Sequence, residues 1–256
     1  DRIAACLIDL GKIDEALSYL REAHNIFSYT NDEYRLPWAQ YRLGWTLVSD
    51  AQYEEAIPLL LQASEAYKRR GKFVEAANAD VQLAHAYFEI DCEEEAHVLY
   101  EQTRSVYQAA GHYNDALIAD VNSARRLRFS DLDAAIEKLL RVISVGNSAS
   151  NDWIVRAAQL RLAECYLDKN TVEDAERALS YLEEIGQDSY GDNIPEQARM
   201  LTSLAKALFD VNRREEAEQV AMKVVDFGIG AGYQYESAQV HELLAMSAFD
   251  RGELDK

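Results

Sequence analysis

Four aromatic residues and one arginine occur at a spacing that suits molecular recognition. Tyr34, Trp38, Tyr41 and Trp45 are separated by four, three and four residues, so a helix would carry all four on one face. Arg42 lies beside them. Aromatic rings and guanidinium groups dominate the binding energy of many protein interfaces. The segment therefore either binds a partner or packs against neighbouring elements, and the spacing alone is compatible with both interpretations.

Polar and cationic residues recur at comparable places further along the chain. Asparagine and glutamine side chains can hold a peptide backbone, and arginine suits bidentate contacts with carboxylates. The alternative is that the arginines pair with carboxylates of the chain itself. The candidate partner-binding residues are Trp38, Tyr41, Arg42, Trp45, Asn78, Gln82, His85, Asn122, Arg125, Arg128 and Arg161.

The residues of common catalytic and metal sites do not occur in the required patterns. The five histidines form no His-x-x-x-His pair, and the three cysteines form no Cys-x-x-Cys pair. Cys92 and His97 share a segment with several glutamates, but the spacing of four metal ligands is missing. We therefore expect no catalytic residues, no bound metal and no cofactor.

The chain is strongly acidic, with 45 Asp and Glu against 26 Lys and Arg and a net charge of −19. Nucleic acids and anionic lipids favour a broad cationic surface, so we expect no direct contact with nucleic acid or membrane. Hydrophobic residues make up 48% and charged residues 28% of the 256 residues, as in folded proteins. The isolated cysteines favour a reducing, cytoplasmic location.

Two series of small residues indicate an internal repeat of about 40 residues. The first series is Ala16, Ala56, Ala96, Ala135, Ala175 and Ala217. The second series is Ala4, Gly44, Ala84, Ala124, Ala163, Ala205 and Ala245. Larger apolar residues surround both series at the spacing of amphipathic helices. Small side chains at fixed places let two backbones approach closely, so each repeat is predicted to be a pair of antiparallel helices.

Local signals predict where some helices begin and end. Ser130 and Thr171 each precede an Asp by three residues, which resembles a capping box. Gly71, Gly111 and Asn151 stand where a left-handed residue would end the preceding helix. An aromatic residue then opens the next repeat, for which we predict packing between repeats; these residues are Tyr34, Phe73, Tyr113 and Trp153.

The small residues also follow a leucine in a recurring pair. These pairs are Leu43–Gly44, Leu83–Ala84, Leu162–Ala163 and Leu204–Ala205, the second and third followed by Tyr87 and Tyr166. The pattern resembles the tetratricopeptide repeat family, which has Leu-Gly and an aromatic in its first helix and Ala in its second. The repeat here exceeds the family's usual length of about 34 residues, and the usual Pro is missing. Longer repeats of this kind resemble the repeat domains of bacterial peptide-sensing and signal-sensing regulators.

The resemblance implies an all-α fold, a right-handed α-solenoid of about six and a half antiparallel helix-pair repeats. It would form a single domain over residues 1–256, with repeats at 1–32, 33–72, 73–112, 113–151, 152–193, 194–233 and a partial repeat at 234–256. Because the chain stops within a repeat, we expect it to be a fragment of a longer protein. The first helix of each repeat would line a concave groove that the candidate residues face.

Two functions follow from the resemblance. The first is a non-catalytic scaffold that binds a protein or peptide in its groove. Some family members capture a peptide C-terminal carboxylate with Lys, Asn and Arg, so a partner with acidic or C-terminal carboxylate groups is expected. Asn78, Asn122, Arg125 and Arg161 occupy comparable places, although the family's motif is not reproduced position by position. The alternative is a ligand- or peptide-sensing regulatory domain of a larger signalling or transcription-regulating protein. Self-association through the ends is compatible with both.

Overall fold

The computed structural model describes Ala4, Cys6, Leu7 and residues 12–187, 189–191, 193–227 and 234–251. Every regular element within these residues is an α-helix, which confirms the predicted all-α class. Ala4, Cys6 and Leu7 are helical, and twelve helices follow within the described residues. They are α1 (Ile13–Tyr29), α2 (Leu36–Ser49), α3 (Tyr53–Arg69), α4 (Phe73–Glu89), α5 (Glu93–Ala109), α6 (Tyr113–Ser130), α7 (Leu132–Ser148), α8 (Asp152–Asp168), α9 (Val172–Ile185), α10 (Ile194–Asp210), α11 (Arg214–Asp226) and α12 (Gln234–Asp250).

Small residues lie where neighbouring helices meet. Every member of the two small-residue series is buried except Ala245. The closest approach occurs at Gly44, where an added Cβ atom would lie 2.7 Å from Cγ of Leu60. Since no real side chain tolerates that distance, α2 and α3 can pack together as they do only with glycine at this position or after a local shift.

The helix ends follow the predicted signals in part. Thr171 caps α9 by accepting a hydrogen bond from the backbone of Asp174 at 3.1 Å, and Gly71 and Gly111 adopt positive φ angles, as predicted. The prediction for Ser130 is wrong, because α6 runs through it and Asp131 caps α7 instead. The predictions for the α7–α8 turn are also shifted by one residue. The left-handed residue there is Ser150, and Asn151 caps α8.

The helices form two compact units, residues 1–126 and 127–256. In the first unit, Leu17, Leu43 and Leu60 belong to one apolar core. In the second unit, Leu182 and Met200 belong to another. The repeat boundaries given above remain predictions.

The aromatic residues that open the repeats do not pack between helices as predicted. Tyr34, Phe73, Tyr113 and Trp153 are 79%, 59%, 69% and 57% exposed. They stand in the first turn of a helix or just before it, where Cα–Cβ bonds point back towards the N-terminus. Their rings therefore lie largely in solvent at the start of each helix.

Candidate functional site

The predicted aromatic face of α2 is present for three of its four members. The rings of Tyr41 and Trp45 stack with centroids 6.4 Å apart and planes 12° apart. Trp38 lies one turn earlier on the same helix and is partly buried. Tyr34 precedes the helix and belongs instead to the exposed end of the repeat.

Arg42 differs from the other candidate arginines because no carboxylate of the described residues pairs with it. Its Cζ atom lies 4.5 Å from the centroid of the Trp45 ring, a cation–π contact. Its Nε atom is buried and has no hydrogen-bond acceptor. Because Nε is enclosed, an incoming acceptor would bind Arg42 through its Nη atoms, which no carboxylate of the described residues holds.

A pocket of about 140 Å³ lies next to Tyr41, between α2, α4, α5 and α6 in the first unit. Its lining residues are Tyr41, Asn78, Val81, Gln82, Tyr107, Asp115, Ile118 and Ala119. The hydroxyl of Tyr107 donates to Oδ1 of Asn78 at 2.7 Å, which leaves the Asn78 amide NH₂ as a donor. Burial raises the pKa of Tyr41 and of Tyr107, so both phenols stay neutral at physiological pH. We call this cavity the Tyr41–Asn78 pocket.

His85 and Arg125 form a separate cluster in the first unit. Nη2 of Arg125 donates to Oε1 of Glu89 at 3.0 Å, and Nη1 lies 3.3 Å from Nε2 of His85. The Arg125 guanidinium also lies 4.9 Å from the ring centroid of Phe88. Burial, assisted by the charge of Arg125 and opposed by Glu89, lowers the pKa of His85, so its ring is neutral at pH 7. Asn122 is partly buried one turn before Arg125.

Arg128 is held by carboxylates within the second unit. Its Nη1 donates to Oε2 of Glu164 at 2.9 Å. Its Nε and Nη2 hold both carboxylate oxygens of Asp168, the second at 2.9 Å. Burial acts to lower the pKa of Arg128, but the hydrogen bond to Asp168 and the charge of Glu164 outweigh it and the pKa is raised. Arg128 is therefore permanently charged and already bound.

Arg161 extends this pairing to the next helices. Its Nη1 lies 3.1 Å from Oε1 of Glu164, and its Nη2 lies 3.5 Å from Oε1 of Glu196. Arg199 continues the series, with Glu196 at 3.1 Å and Glu236 at 3.3 Å. We call this alternation the arginine ladder; its members are Arg128, Arg161 and Arg199 with Asp168, Glu164, Glu196 and Glu236.

The structure thus divides nine of the eleven predicted site residues into three groups; the other two, Trp38 and Asn122, are partly buried on α2 and α6. Tyr41, Asn78 and Gln82 meet at the pocket, with Arg42 and Trp45 on the adjoining part of α2. His85 and Arg125 contact each other, and Arg128 and Arg161 belong to the ladder. Tyr107 was not among the predicted site residues. Tyr67 occupies the equivalent position one repeat earlier, and this recurrence of tyrosine is the signal that could have identified Tyr107.

In the part of the chain that the structure describes, no group of His, Cys, Asp and Glu is arranged to hold a metal ion. None of the helices described is both long and apolar enough to cross a membrane.

The tetratricopeptide repeat family model matches residues 1–69. No curated protein sequence matches the chain. Among solved structures, NprR in complex with its cognate peptide NprX is 14% identical with a TM-score of 0.71, and the likeness covers 96% of this chain and 69% of NprR.

Two other solved structures are similar. The Rap conjugation gene regulator of plasmid pLS20, in complex with the Phr* peptide, is 17% identical with a TM-score of 0.67, covering 85% of this chain and 58% of the regulator. The signal transduction ATPase with a tetratricopeptide repeat sensor from Pyrococcus horikoshii is 15% identical with a TM-score of 0.71, covering 98% of this chain and 38% of the ATPase. At these identities the likeness shows the fold, and it confirms the predicted resemblance to tetratricopeptide repeat proteins.

Proposed function

We propose that this chain is a non-catalytic scaffold that binds a protein or peptide at the Tyr41–Asn78 pocket and the adjoining face of α2. The observation that carries the proposal is Arg42, which lies against Trp45 without a carboxylate partner while the other predicted arginines are paired. A carboxylate of the partner, from an acidic side chain or a C-terminus, would bind Arg42. The amides of Asn78 and Gln82 would hold its backbone.

The stacked rings supply the apolar part of this surface. Tyr41 and Trp45 are already ordered by their contact, so a partner loses little additional side-chain freedom when it packs on them. The pocket of about 140 Å³ has room for one small apolar side chain next to the amide groups. A few placed polar groups beside an apolar lining are typical of ligand sites.

The experiment is selection of peptides from a random library against the whole chain, followed by affinity measurements of the selected peptides with free and with amidated C-termini. We expect Trp45→Ala and Arg42→Gln to weaken binding about tenfold or more, because hot-spot residues contribute at least that much. Trp153→Ala and Arg177→Gln are the matched controls, since both residues lie outside the pocket and are exposed. Circular dichroism checks that all four variants remain helical.

Equal binding by wild type and by both pocket variants would refute the proposal. A loss of affinity on amidation that disappears in Arg42→Gln would assign the C-terminal carboxylate to that arginine. A loss that persists in Arg42→Gln would place the carboxylate elsewhere.

The alternative function is a peptide-sensing regulatory domain of a larger protein. It is supported by the similar structures that bind a peptide or contain a sensor. The likeness covers only 58% of the Rap regulator, 69% of NprR and 38% of the ATPase, so each of these proteins is longer than the matched part. In that case the selected peptide should change the accessibility of helices outside the pocket. Hydrogen exchange with and without peptide distinguishes the two functions, since a simple scaffold would be protected only near the contact.

A further inference from the structure

The turn between α3 and α4 concentrates positive charge in an acidic chain. Lys68, Arg69, Arg70 and Lys72 stand around Gly71, while the whole chain has a net charge of −19. The φ angle of Gly71 is 70°, and backbone hydrogen bonds of 3.0 Å donated by Gly71 and Lys72 close the turn. The four cations are therefore held in one small surface region.

Two exposed rings flank these cations. Phe73 opens α4 and is 59% exposed, and Tyr34 in the preceding turn is 79% exposed. The guanidinium of Arg70 lies 5.1 Å from the centroid of the Tyr34 ring, and Arg70 also donates to the backbone oxygen of Glu33. These contacts join two neighbouring turns into one surface. We call it the basic edge; its members are Tyr34, Lys68, Arg69, Arg70, Lys72 and Phe73.

Much of this charge is not neutralised within the chain. Lys68 and Lys72 each pair with one carboxylate, at 2.8 Å and 3.3 Å. The Lys72 pair is exposed, and such pairs contribute little. Arg69 and Arg70 have no carboxylate partner among the described residues. The Arg69 guanidinium is therefore available to an anionic partner, and that of Arg70 carries an uncompensated charge while it rests on Tyr34 and the backbone oxygen of Glu33.

The helix dipole accounts for only part of the cluster, since Lys68 and Arg69 alone lie in the last turn of α3. Cations near a helix C-terminus do offset the dipole. Among the described helices, however, only α3, α6 and α11 carry a basic residue in the last turn. Arg70 and Lys72 also lie beyond the end of α3. The cluster is a local feature of this turn.

We propose that the basic edge binds an extended acidic segment of a partner protein. The arginines would receive its carboxylates, and Phe73 and Tyr34 would receive its apolar side chains. Packed helices are about 8–10 Å apart, and a chain in the extended polyproline II conformation advances about 3.1 Å per residue with three residues per turn, so two side chains three residues apart would lie on one face and could meet the two rings. Four cations within an acidic surface are too few for a duplex, which spreads its phosphates over a long footprint. This site is separate from the Tyr41–Asn78 pocket.

The experiment uses a fluorescein-labelled peptide of four Glu-Glu-Leu repeats, with peptides of Ser-Ser-Leu and Glu-Glu-Ser repeats for comparison. Fluorescence anisotropy is measured with the whole chain at about 0.15 M salt, where the Debye length of about 8 Å screens the distant acidic surface. We expect the Glu-Glu-Leu peptide to bind most tightly. Arg69→Glu should weaken its binding about tenfold, as expected when an attractive charge is replaced by a repulsive one.

Two variants separate the parts of the proposal. Phe73→Ser should weaken binding of the Glu-Glu-Leu peptide and leave that of the Glu-Glu-Ser peptide unchanged, since only the first has apolar side chains. Lys12→Glu makes the same charge change at another exposed residue of the first unit and should leave both affinities unchanged. Circular dichroism confirms that the variants are folded.

Several outcomes would overturn the proposal. Equal weakening by Lys12→Glu and Arg69→Glu would mean that only the overall charge matters. Tighter binding of a DNA duplex than of the peptide, lost in Arg69→Glu, would make the edge a nucleic-acid site. Self-association in sedimentation velocity that Arg69→Glu abolishes would mean that a second copy covers the edge. Loss of peptide binding in Arg42→Gln would place the peptide in the pocket.

Discussion

The charge of Glu164 should be worth several times more to stability than that of an exposed glutamate. The side chain of Glu164 lies between two arginines, with Oε1 3.1 Å from Arg161 and Oε2 2.9 Å from Arg128. Glu164 is only 7% exposed. Glu164→Gln keeps the shape but leaves one acceptor for two guanidinium groups and turns an NH₂ towards the other.

The magnitude follows from the hydrogen bonds lost. A hydrogen bond to a charged group contributes about 1.5–3 kcal/mol, and a buried donor left facing another donor adds its desolvation cost. Asp168 and Glu196 still hold the two arginines, so the effect should stay below the upper end of about 3–5 kcal/mol for a broken buried pair. We expect Glu164→Gln to lower the free energy of unfolding by about 2–4 kcal/mol.

Urea denaturation followed by circular dichroism and tryptophan fluorescence measures this change, and Trp153 on α8 reports on the second unit. The matched control is Glu216→Gln, since Glu216 accepts from Arg213 at 2.6 Å but both side chains are exposed. The control should leave the transition midpoint unchanged, because exposed ion pairs contribute little. Equal midpoints for Glu164→Gln and Glu216→Gln would refute the reasoning from burial.

Three further predictions concern the core and the titratable groups. Leu60→Ala should cost about 2–5 kcal/mol in urea denaturation because Leu60 is fully buried, whereas Leu61→Ala at the exposed neighbour should leave the midpoint nearly unchanged. Burial raises the pKa of Cys165 to about 12, so a thiol reagent should label Cys6 in the native chain and Cys165 only after unfolding; native labelling of Cys165 would contradict this. Burial lowers the pKa of His85, so the unfolded chain binds the imidazole proton more tightly than the folded chain does. The free energy of unfolding should therefore fall as the pH drops below about 6.5. The thermal midpoint of His85→Gln should fall less over the same pH range.

The helix pairs could be predicted from the sequence because small residues must recur wherever two backbones meet closely. Gly44 and the buried alanines one repeat apart show this directly. The predicted left-handed residue between α7 and α8 differs from the observed one by one position. Ser150 and Asn151 are both compatible with a left-handed conformation, and only the hydrogen bonds of the turn decide between them.

The pairing of the predicted arginines with carboxylates of the chain could not be predicted fully from helix periodicity. Helix periodicity places Glu164 one turn after Arg161, but Glu164 and Asp168 as partners of Arg128, and Glu196 as partner of Arg161, belong to neighbouring repeats. The carboxylates stand 35 to 40 positions away, close to one repeat, so the repeat itself holds the missing signal. The exposure of Tyr34 and Phe73 could not be predicted, because a pattern of residue types does not show how far the contact between two neighbouring helices extends.

The arginine ladder also affects how the second unit unfolds. In a helical repeat protein, stability is close to a sum of terms within each repeat and terms between nearest neighbours. The pairs that Arg128 forms with Asp168, Arg161 with Glu196, and Arg199 with Glu236 join helices about one repeat apart, so these pairs add to the terms between neighbours. Opening one helix pair therefore exposes charges on the next and makes opening of that pair easier. Removal of the Arg161–Glu196 pair weakens this coupling, so amide exchange in α8 and α10 should become less concerted than in the wild type.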